Sequence, residues 1–183
     1  MAMEGALPTV GLSGGEEAVR SEVNAAVVRA YTEHYVAVAR LAYLLVGDRT
    51  QAEDLAHEAF ARLHAKYDRL KDKDRTLAYL RTTVVNQARS AGRRDRTAAR
   101  HQAPVERPAG SAEEVAVARI DRDVVLAALA ELPPRQRAAI VLRHYLRMTE
   151  GEIAETMGCK VGTVRTHLKR ANLALTSSLG GQA

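Results

Sequence analysis

Tryptophan is absent from this chain of 183 residues, and aromatic residues make up only 4% of it. Cys159 is the single cysteine, which excludes an intrachain disulfide and fits a reducing cytoplasm. No apolar run approaches the length of a membrane span. The N-terminus also lacks the basic start and apolar core of a signal peptide, so the sequence predicts neither a membrane anchor nor export.

Patterns typical of catalysis and metal binding are missing as well. There is no glycine-rich phosphate loop, and the six histidines have no metal-ligand spacing to cysteine or paired acids. Glu53, Asp54 and Glu58 crowd one predicted helix, but no cleft is predicted for a catalytic carboxylate pair. We therefore expect no enzyme, no metal site and no cofactor, and interpret these acids as a surface for a basic protein partner.

Basic residues outnumber acidic ones by 27 to 22, which gives a net charge of +5. The excess lies in two separate zones, residues 81–107 and residues 133–170. A basic balance suits a polyanionic partner. Two zones imply two places where nucleic acid could lie.

Helix-favouring residues dominate the chain, and no stretch alternates like a strand. The sequence predicts an all-α protein of two small helical domains joined by a flexible linker. We expect a flexible segment over residues 1–23, a three-helix domain over 24–96, a linker over 97–120 and a second domain over 121–179. Thr50 and Glu53 have the spacing of a capping box that would start the second helix.

The second domain contains the pattern of a helix-turn-helix between Thr149 and Ala171. Thr149 and Glu152 have capping-box spacing, and Gly158 suits the left-handed turn that ends a short helix. A second helix then starts near Val161, with an apolar stripe on one face and basic and hydroxyl residues on the other. Such a helix enters the DNA major groove. The alternative is an ordinary amphipathic hairpin with a solvated charged face.

The order of these pieces resembles the extracytoplasmic-function (ECF) group of bacterial RNA polymerase sigma factors, in particular its actinobacterial SigE-like branch. The resemblance covers about residues 31–179. Four stretches carry it: LAYLLVGDRTQAEDLAHEAFARL, AYLRTTVVNQARSAGRRDR, LAELPPRQRAAIVLRHYLRMTEGEIAETMGC and VGTVRTHLKRA. In this family they grip the polymerase, melt and read the −10 promoter element, open the second domain and read the −35 element, respectively.

The resemblance implies a factor that binds core RNA polymerase, through the β′ clamp helices and the β flap, and directs transcription initiation at promoter DNA. It also implies a cytoplasmic protein held inactive by an anti-sigma factor, with no membrane insertion of its own. The polymerase-binding residues that it implies are Asp54, Glu58, Phe60 and Leu63. Those of the −10 segment are Lys73, Arg75, Tyr79, Asn86, Arg89, Arg93 and Arg94. Those of the −35 reading helix are Lys160, Thr163, Arg165, Thr166, Lys169 and Arg170.

The sequence leaves some of these assignments open. Tyr79 could stack on a flipped base or serve as a core aromatic, and Leu63 also fits the core stripe of its helix. His57, His64, Ser90 and Lys160 depart from the residues common in the family, so no exact promoter sequence is carried over.

Two other classes of function each explain part of the sequence. A helix-turn-helix repressor or activator would explain the second domain but not the −10-like segment, and no dimerisation helix is evident. A helical partner-binding protein without DNA activity would leave the two basic zones unexplained.

Overall fold

The computed structural model describes residues 14–70, 72–98 and 116–180, and all the regular structure within these ranges is helical. The chain therefore has the predicted all-α fold. Its seven α-helices are α1 (Gly14–Val46), α2 (Arg49–Lys66), α3 (Thr76–Ala98), α4 (Ala116–Glu131), α5 (Pro134–His144), α6 (Glu150–Met157) and α7 (Val161–Gly180). Two 3-10 turns, Tyr67–Arg69 and Lys73–Arg75, lie between α2 and α3.

Helices α1, α2 and α3 pack on one another and form what we call the N-terminal half. Its largest fully buried side chains include Leu41, Leu63 and Leu80, one from each helix. Helix α1 ends where Gly47 adopts a left-handed φ of +79°, a conformation that costs glycine little.

The start of α2 differs from the prediction. Asp48 is the N-cap, and its carboxylate accepts a hydrogen bond of 2.7 Å from the Gln51 N–H. The predicted capping box is therefore wrong. Because the left-handed Gly47 directly precedes it, Asp48 takes the cap position, and Glu53 is left to pair with Arg49 at 2.9 Å.

The N-terminal segment also differs from the prediction. Residues 14–23, expected to be flexible, form the first turns of α1, whereas residues 1–13 lie outside the described ranges. Val23 and Ala26 are buried, and His64 of α2 hydrogen-bonds to Asn24 at 2.7 Å. The buried face of this stretch consists of small residues, whose periodicity is weak in the sequence.

Helices α4 to α7 form what we call the C-terminal half. Pro134 opens α5 at its first position, since its missing N–H would have no helical partner there. Helices overlap both ends of the predicted linker, residues 97–120. Helix α3 reaches Ala98, and α4 begins at Ala116. Residues 99–115 lie outside those ranges.

The two halves pack against each other, and their buried residues form one continuous hydrophobic cluster. Helix α3 contacts α5 and α6, and α1 contacts α5. Two arginines cross the boundary. Arg137 donates to the Leu45 carbonyl at 2.8 Å, and Arg89 donates to the Met157 carbonyl at 2.7 Å. In this structure the chain is therefore closed.

Candidate nucleic-acid interface

The predicted helix-turn-helix consists of α6, a turn at Gly158 and α7. The Thr149 hydroxyl accepts a hydrogen bond from the Glu152 N–H, and the Glu152 carboxylate accepts one of 2.7 Å from the Thr149 N–H. This capping box is confirmed, and the Thr149 hydrogen bonds lower the pKa of the Glu152 carboxyl. Gly158 has a φ of +61° and ends α6, also as predicted.

Helix α7 buries one face and exposes the other. Val164 and Ala171 are fully buried, and Leu168 and Leu175 are half-buried against the core. Val161 was expected on this apolar face but is 37% exposed, because it lies at the first turn beyond the edge of α6. The side chains predicted to read the −35 element lie mostly on the free face: Lys160, Arg165, Thr166, Lys169 and Arg170 are exposed, and Thr163 is half-buried.

Two of these side chains already have partners within the chain. The Nε of Arg165 donates to Glu150 Oε2 at 2.7 Å, which ties α7 to the first turn of α6. The Thr166 hydroxyl donates to the Gly162 carbonyl, so only its oxygen lone pairs stay available to another molecule. The free face therefore presents one oriented guanidinium among basic side chains that have no ion pair within the described ranges.

The residues predicted for the −10 element begin at the charged loop between α2 and α3, ahead of the basic zone at residues 81–107. Lys73 and Arg75 are exposed on a 3-10 turn that Asp72 caps by accepting from the Asp74 N–H. The Lys73 ammonium lies 5.1 Å from the centre of the Tyr67 ring, within the range of a cation–π contact. Tyr67 was missed by sequence reasoning, since nothing in the loop's composition singles it out.

Helix α3 carries the other predicted −10 residues. Asn86 is exposed, and its amide oxygen accepts a 3.3 Å hydrogen bond from Arg89, which also donates to Met157 in α6. Tyr79 is half-buried against the hydrophobic cluster. Arg93 and Arg94 lie on α3, but their side chains fall outside the described part of the chain.

A half-buried histidine, His167, lies near three arginines. Burial lowers the pKa of His167, and the positive charges of Arg135, Arg170 and Arg89 lower it further. Both ring nitrogens are buried, with no hydrogen-bond partner among the described residues. The closed arrangement therefore favours neutral His167.

The exposed face of α2 is acidic, as predicted for a protein-binding surface. Glu58 pairs with Arg62 at 2.7 Å, whereas Asp54 is exposed and has no ion pair among the described residues. Phe60 and Leu63 do not share this face, since they are 4% and 0% exposed. Both side chains pack in the core behind the acidic face, and their contact with polymerase stays a prediction.

An aromatic group lies beside the acidic face and was not predicted as a site. The rings of Tyr31 and Tyr35 are stacked with centres 4.7 Å apart, and the Tyr35 hydroxyl lies 3.3 Å from His57 Nε2. Phe60 packs under Tyr31 at 4.9 Å. Burial and the neighbouring Tyr31 raise the pKa of Tyr35. The sequence signal for this group is the i, i+4 spacing of the tyrosines, which places both rings on one face of a helix.

No cluster of three or more histidine, cysteine or acidic side chains able to hold a metal ion occurs in the part of the chain that the structure describes. In the same ranges, no helix is long and apolar enough to cross a membrane.

Two family models match the chain, one in each half. The model for sigma-70 region 2 matches residues 30–97, and the model for sigma-70 region 4 matches residues 122–175. The first match contains α2 and nearly all of α3, and the second contains the helix-turn-helix.

Curated relatives align over most of the chain. The RNA polymerase sigma-E factor of Streptomyces coelicolor is 33% identical over 144 residues, which cover 78% of this chain and 80% of that protein. The ECF RNA polymerase sigma factor SigL of Mycobacterium tuberculosis is 32% identical over 161 residues, which cover 85% and 90% of the two chains.

Solved structures share the fold. CnrH, solved with the cytosolic domain of CnrY, matches with a TM-score of 0.61 and 22% identity, over 90% of this chain and 98% of that one. The sigma factor RpoE of Bartonella quintana, solved with the anti-sigma factor NepR, matches with a TM-score of 0.59 and 23% identity, over 83% and 95%.

Proposed function

The chain belongs to the ECF group of RNA polymerase sigma factors, and from that premise we propose how its two halves divide the work. A sigma factor binds core RNA polymerase and directs promoter recognition and initiation. In this chain, residues 24–96 form the domain for polymerase and the −10 element, and residues 121–179 form the domain for the −35 element.

The free face of α7 is the proposed −35 reader. It combines four exposed basic side chains with a confirmed helix-turn-helix geometry, and the first turns of such a second helix reach base edges in the major groove. This exposed basic face is the observation that carries the assignment. Lysine and arginine on it would contact phosphates for affinity and guanine edges for specificity.

Helix α2 is the proposed docking surface for polymerase. Asp54 is the one acid on this helix without an ion pair among the described residues, so its charge is free for a basic partner. The neighbouring stack of Tyr31 and Tyr35 supplies an aromatic anchor of the kind that dominates binding energy at interfaces. Opposite charge across the interface then fixes register and speeds association.

The −10 segment is the proposed site of strand melting and capture. Lys73 and Arg75 are exposed beside the Tyr67 ring, and Asn86 is exposed on the following helix. Aromatic rings beside cationic side chains suit unstacked bases and a single-stranded backbone. Arg89 is not free in the closed chain, since it is bonded to Met157. The −10 site is therefore complete only after the halves separate.

An anti-sigma factor that stabilises the closed arrangement would hold the protein inactive. A ligand shifts such an equilibrium only by its differential affinity for the two states. A partner that contacts both halves binds the closed state better and covers the polymerase surface at the same time. We expect the factor to act in the cytoplasm, with core polymerase, and to have no catalytic activity of its own.

The experiment is co-purification of the tagged protein with core polymerase, followed by run-off transcription from genomic DNA. Asp54→Lys should abolish co-purification while circular dichroism and melting stay near wild type. Asp123→Lys, at an exposed acid of α4, is the matched control and should co-purify normally. Wild-type protein that fails to co-purify, but binds one duplex tightly on its own at physiological salt, would favour a repressor instead.

A further inference from the structure

The ion pair between Glu150 and Arg165 joins the two helices of the helix-turn-helix on its exposed side. The Arg165 Nε lies 2.7 Å from Glu150 Oε2, although the residues are 15 positions apart. The side chain of Arg165 is 69% exposed and that of Glu150 is 35% exposed. The Glu150 carboxylate is therefore the more buried partner, and the Arg165 guanidinium extends farther into solvent.

An acid on a surface that binds DNA carries a cost, because it repels the phosphates. Its contact with Arg165 uses only one edge of the guanidinium. Within the described chain no other contact of Arg165 is found, so both Nη nitrogens stay available. Guanine offers two acceptors, O6 and N7, to such a pair of donors. A guanidinium held at Nε can therefore bind guanine without losing its carboxylate partner.

We propose that Glu150 is a specificity-determining residue, which orients Arg165 for guanine readout in the −35 element without touching DNA itself. An unrestrained arginine populates many rotamers, and only some of them present both Nη atoms to one base. Bound to Glu150, Arg165 loses fewer rotamers on binding, and it is held away from phosphates that would otherwise compete for it. This proposal rests on the −35 role of α7 and adds a residue of α6 to it.

The test measures base preference rather than activity alone. Holoenzyme is assembled with each variant, and open complexes are selected from promoter fragments with a randomised −35 element and then sequenced. Arg165→Ala identifies the base pair at which guanine preference is lost. That loss should be about 5- to 150-fold, the range for one bidentate contact. If Arg165→Ala changes no base preference, the −35 assignment of this face itself fails.

Glu150→Gln should lower the preference for that guanine by about two- to fivefold, the range expected from an exposed ion pair. Binding to all other sequences should rise slightly, since a negative charge has been removed. Glu155→Gln, at an exposed acid of the same helix with no ion pair among the described residues, removes the same charge and should leave guanine preference unchanged.

A double-mutant comparison separates orientation from simple charge. In an Arg165→Ala background, Glu150→Gln should change no base preference, because the side chain that it positions is gone. The proposal is overturned if Glu150→Gln keeps or raises the guanine preference in the wild-type background. It is also overturned if the preference falls equally with and without Arg165. Glu150→Asp, which keeps the charge but shortens its reach, should fall between Gln and wild type.

Discussion

Arg137 of α5 bonds to the C-terminal ends of two other helices, α1 and α4, and its replacement is the sharpest test of the closed arrangement. Its Nη1 donates to the Leu45 carbonyl at the end of α1, at 2.8 Å. Its Nη2 donates to the carbonyls of Ala130 and Leu132 at the end of α4, at 2.6 and 3.3 Å. Carbonyls at helix C-termini have no intrahelical partner and carry partial negative charge, so a cation suits them.

Arg137→Met removes all three hydrogen bonds and keeps the aliphatic length of the side chain. A hydrogen bond to a charged group contributes about 1.5–3 kcal/mol, but the site is only partly buried, so water can replace part of each bond. About 1 kcal/mol per carbonyl gives a total loss of about 3 kcal/mol in the free energy of unfolding. Only the Leu45 bond crosses between the halves. Its share, about 1 kcal/mol, corresponds to a roughly fivefold shift from the closed to the open state.

Urea unfolding measures the total, and distances between spin labels at Thr50→Cys and His144→Cys measure the opening. Both label positions are exposed, one in each half, and Cys159→Ala removes the native thiol. Arg137→Met should unfold at lower urea and show a larger population of long distances. Arg135→Met, at an exposed arginine of the same helix, is the control. If the two arginine variants unfold alike and keep one short distance, the helix-end bonds of Arg137 contribute nothing and the reasoning is refuted.

Three further predictions concern the C-terminal half. Lys169→Ala in holoenzyme should weaken promoter binding equally across −35 sequences, as for a phosphate contact. The slope of log K against log salt should become shallower by about 1. A loss confined to one base pair would identify a base contact instead. Because the pKa of His167 is lowered in the folded chain, the unfolded state binds more protons below its ordinary pKa, so stability should fall as pH drops below about 6.5. His167→Gln should flatten that dependence in urea titrations at pH 5 to 8, and an unchanged curve would show that His167 is not its source. Gly158→Ala should lower the unfolding free energy by about 1–2 kcal/mol, since the left-handed backbone alone disfavours a side chain there. The control Gly151→Ala, inside α6, should be neutral or stabilising. Equal effects of the two changes would contradict the capping role of Gly158.

The helix-turn-helix was predictable because its signals are local. Its two signals, the Thr149–Glu152 spacing and the glycine at 158, act through backbone geometry within one helical turn. The proline at 134 acts in the same local way at the start of α5. No distant contact was needed to place them. The start of α2 shows the limit of the same logic, since Asp48 and Thr50 both suit an N-cap and only the left-handed Gly47 decides between them.

Burial of particular side chains was less predictable. Leu63 fitted both the core stripe and a docking surface, and its helix has apolar residues on more than one side. The structure assigns it to the core because α1 and α3 cover that side of α2. The opposite error concerns the start of α1. Val23 and Ala26 are buried there, but the periodicity of small buried residues is too weak to show that the helix begins ten residues or more further upstream.

Pairings across the fold could not be predicted from the sequence at all. Arg137 and Leu45 are 92 residues apart, and Arg89 and Met157 are 68 apart. An arginine on an amphipathic helix has many acceptors of equal chemistry available to it. Which one it meets depends on how two helices rotate and cross, and that is decided by the packing of the whole core. The Glu150–Arg165 pair is closer in sequence, yet it too depends on the angle between α6 and α7.

The use of Arg89 in the closed chain imposes an order on promoter recognition. Its Nη1 donates to the Met157 carbonyl of α6, so the −10 segment is held against the C-terminal half while the chain is closed. Opening the chain costs the cross-half bonds, about 1 kcal/mol each, together with apolar contacts between the halves. Promoter DNA alone would have to meet that cost from two small basic surfaces whose spacing is not yet fixed. The acidic face of α2 proposed for polymerase stays exposed in the closed chain, so on this proposal polymerase docks first and holds the halves apart before DNA arrives. We therefore expect weak duplex binding by the isolated chain, and sequence-specific binding only once polymerase has fixed the distance between the two sites.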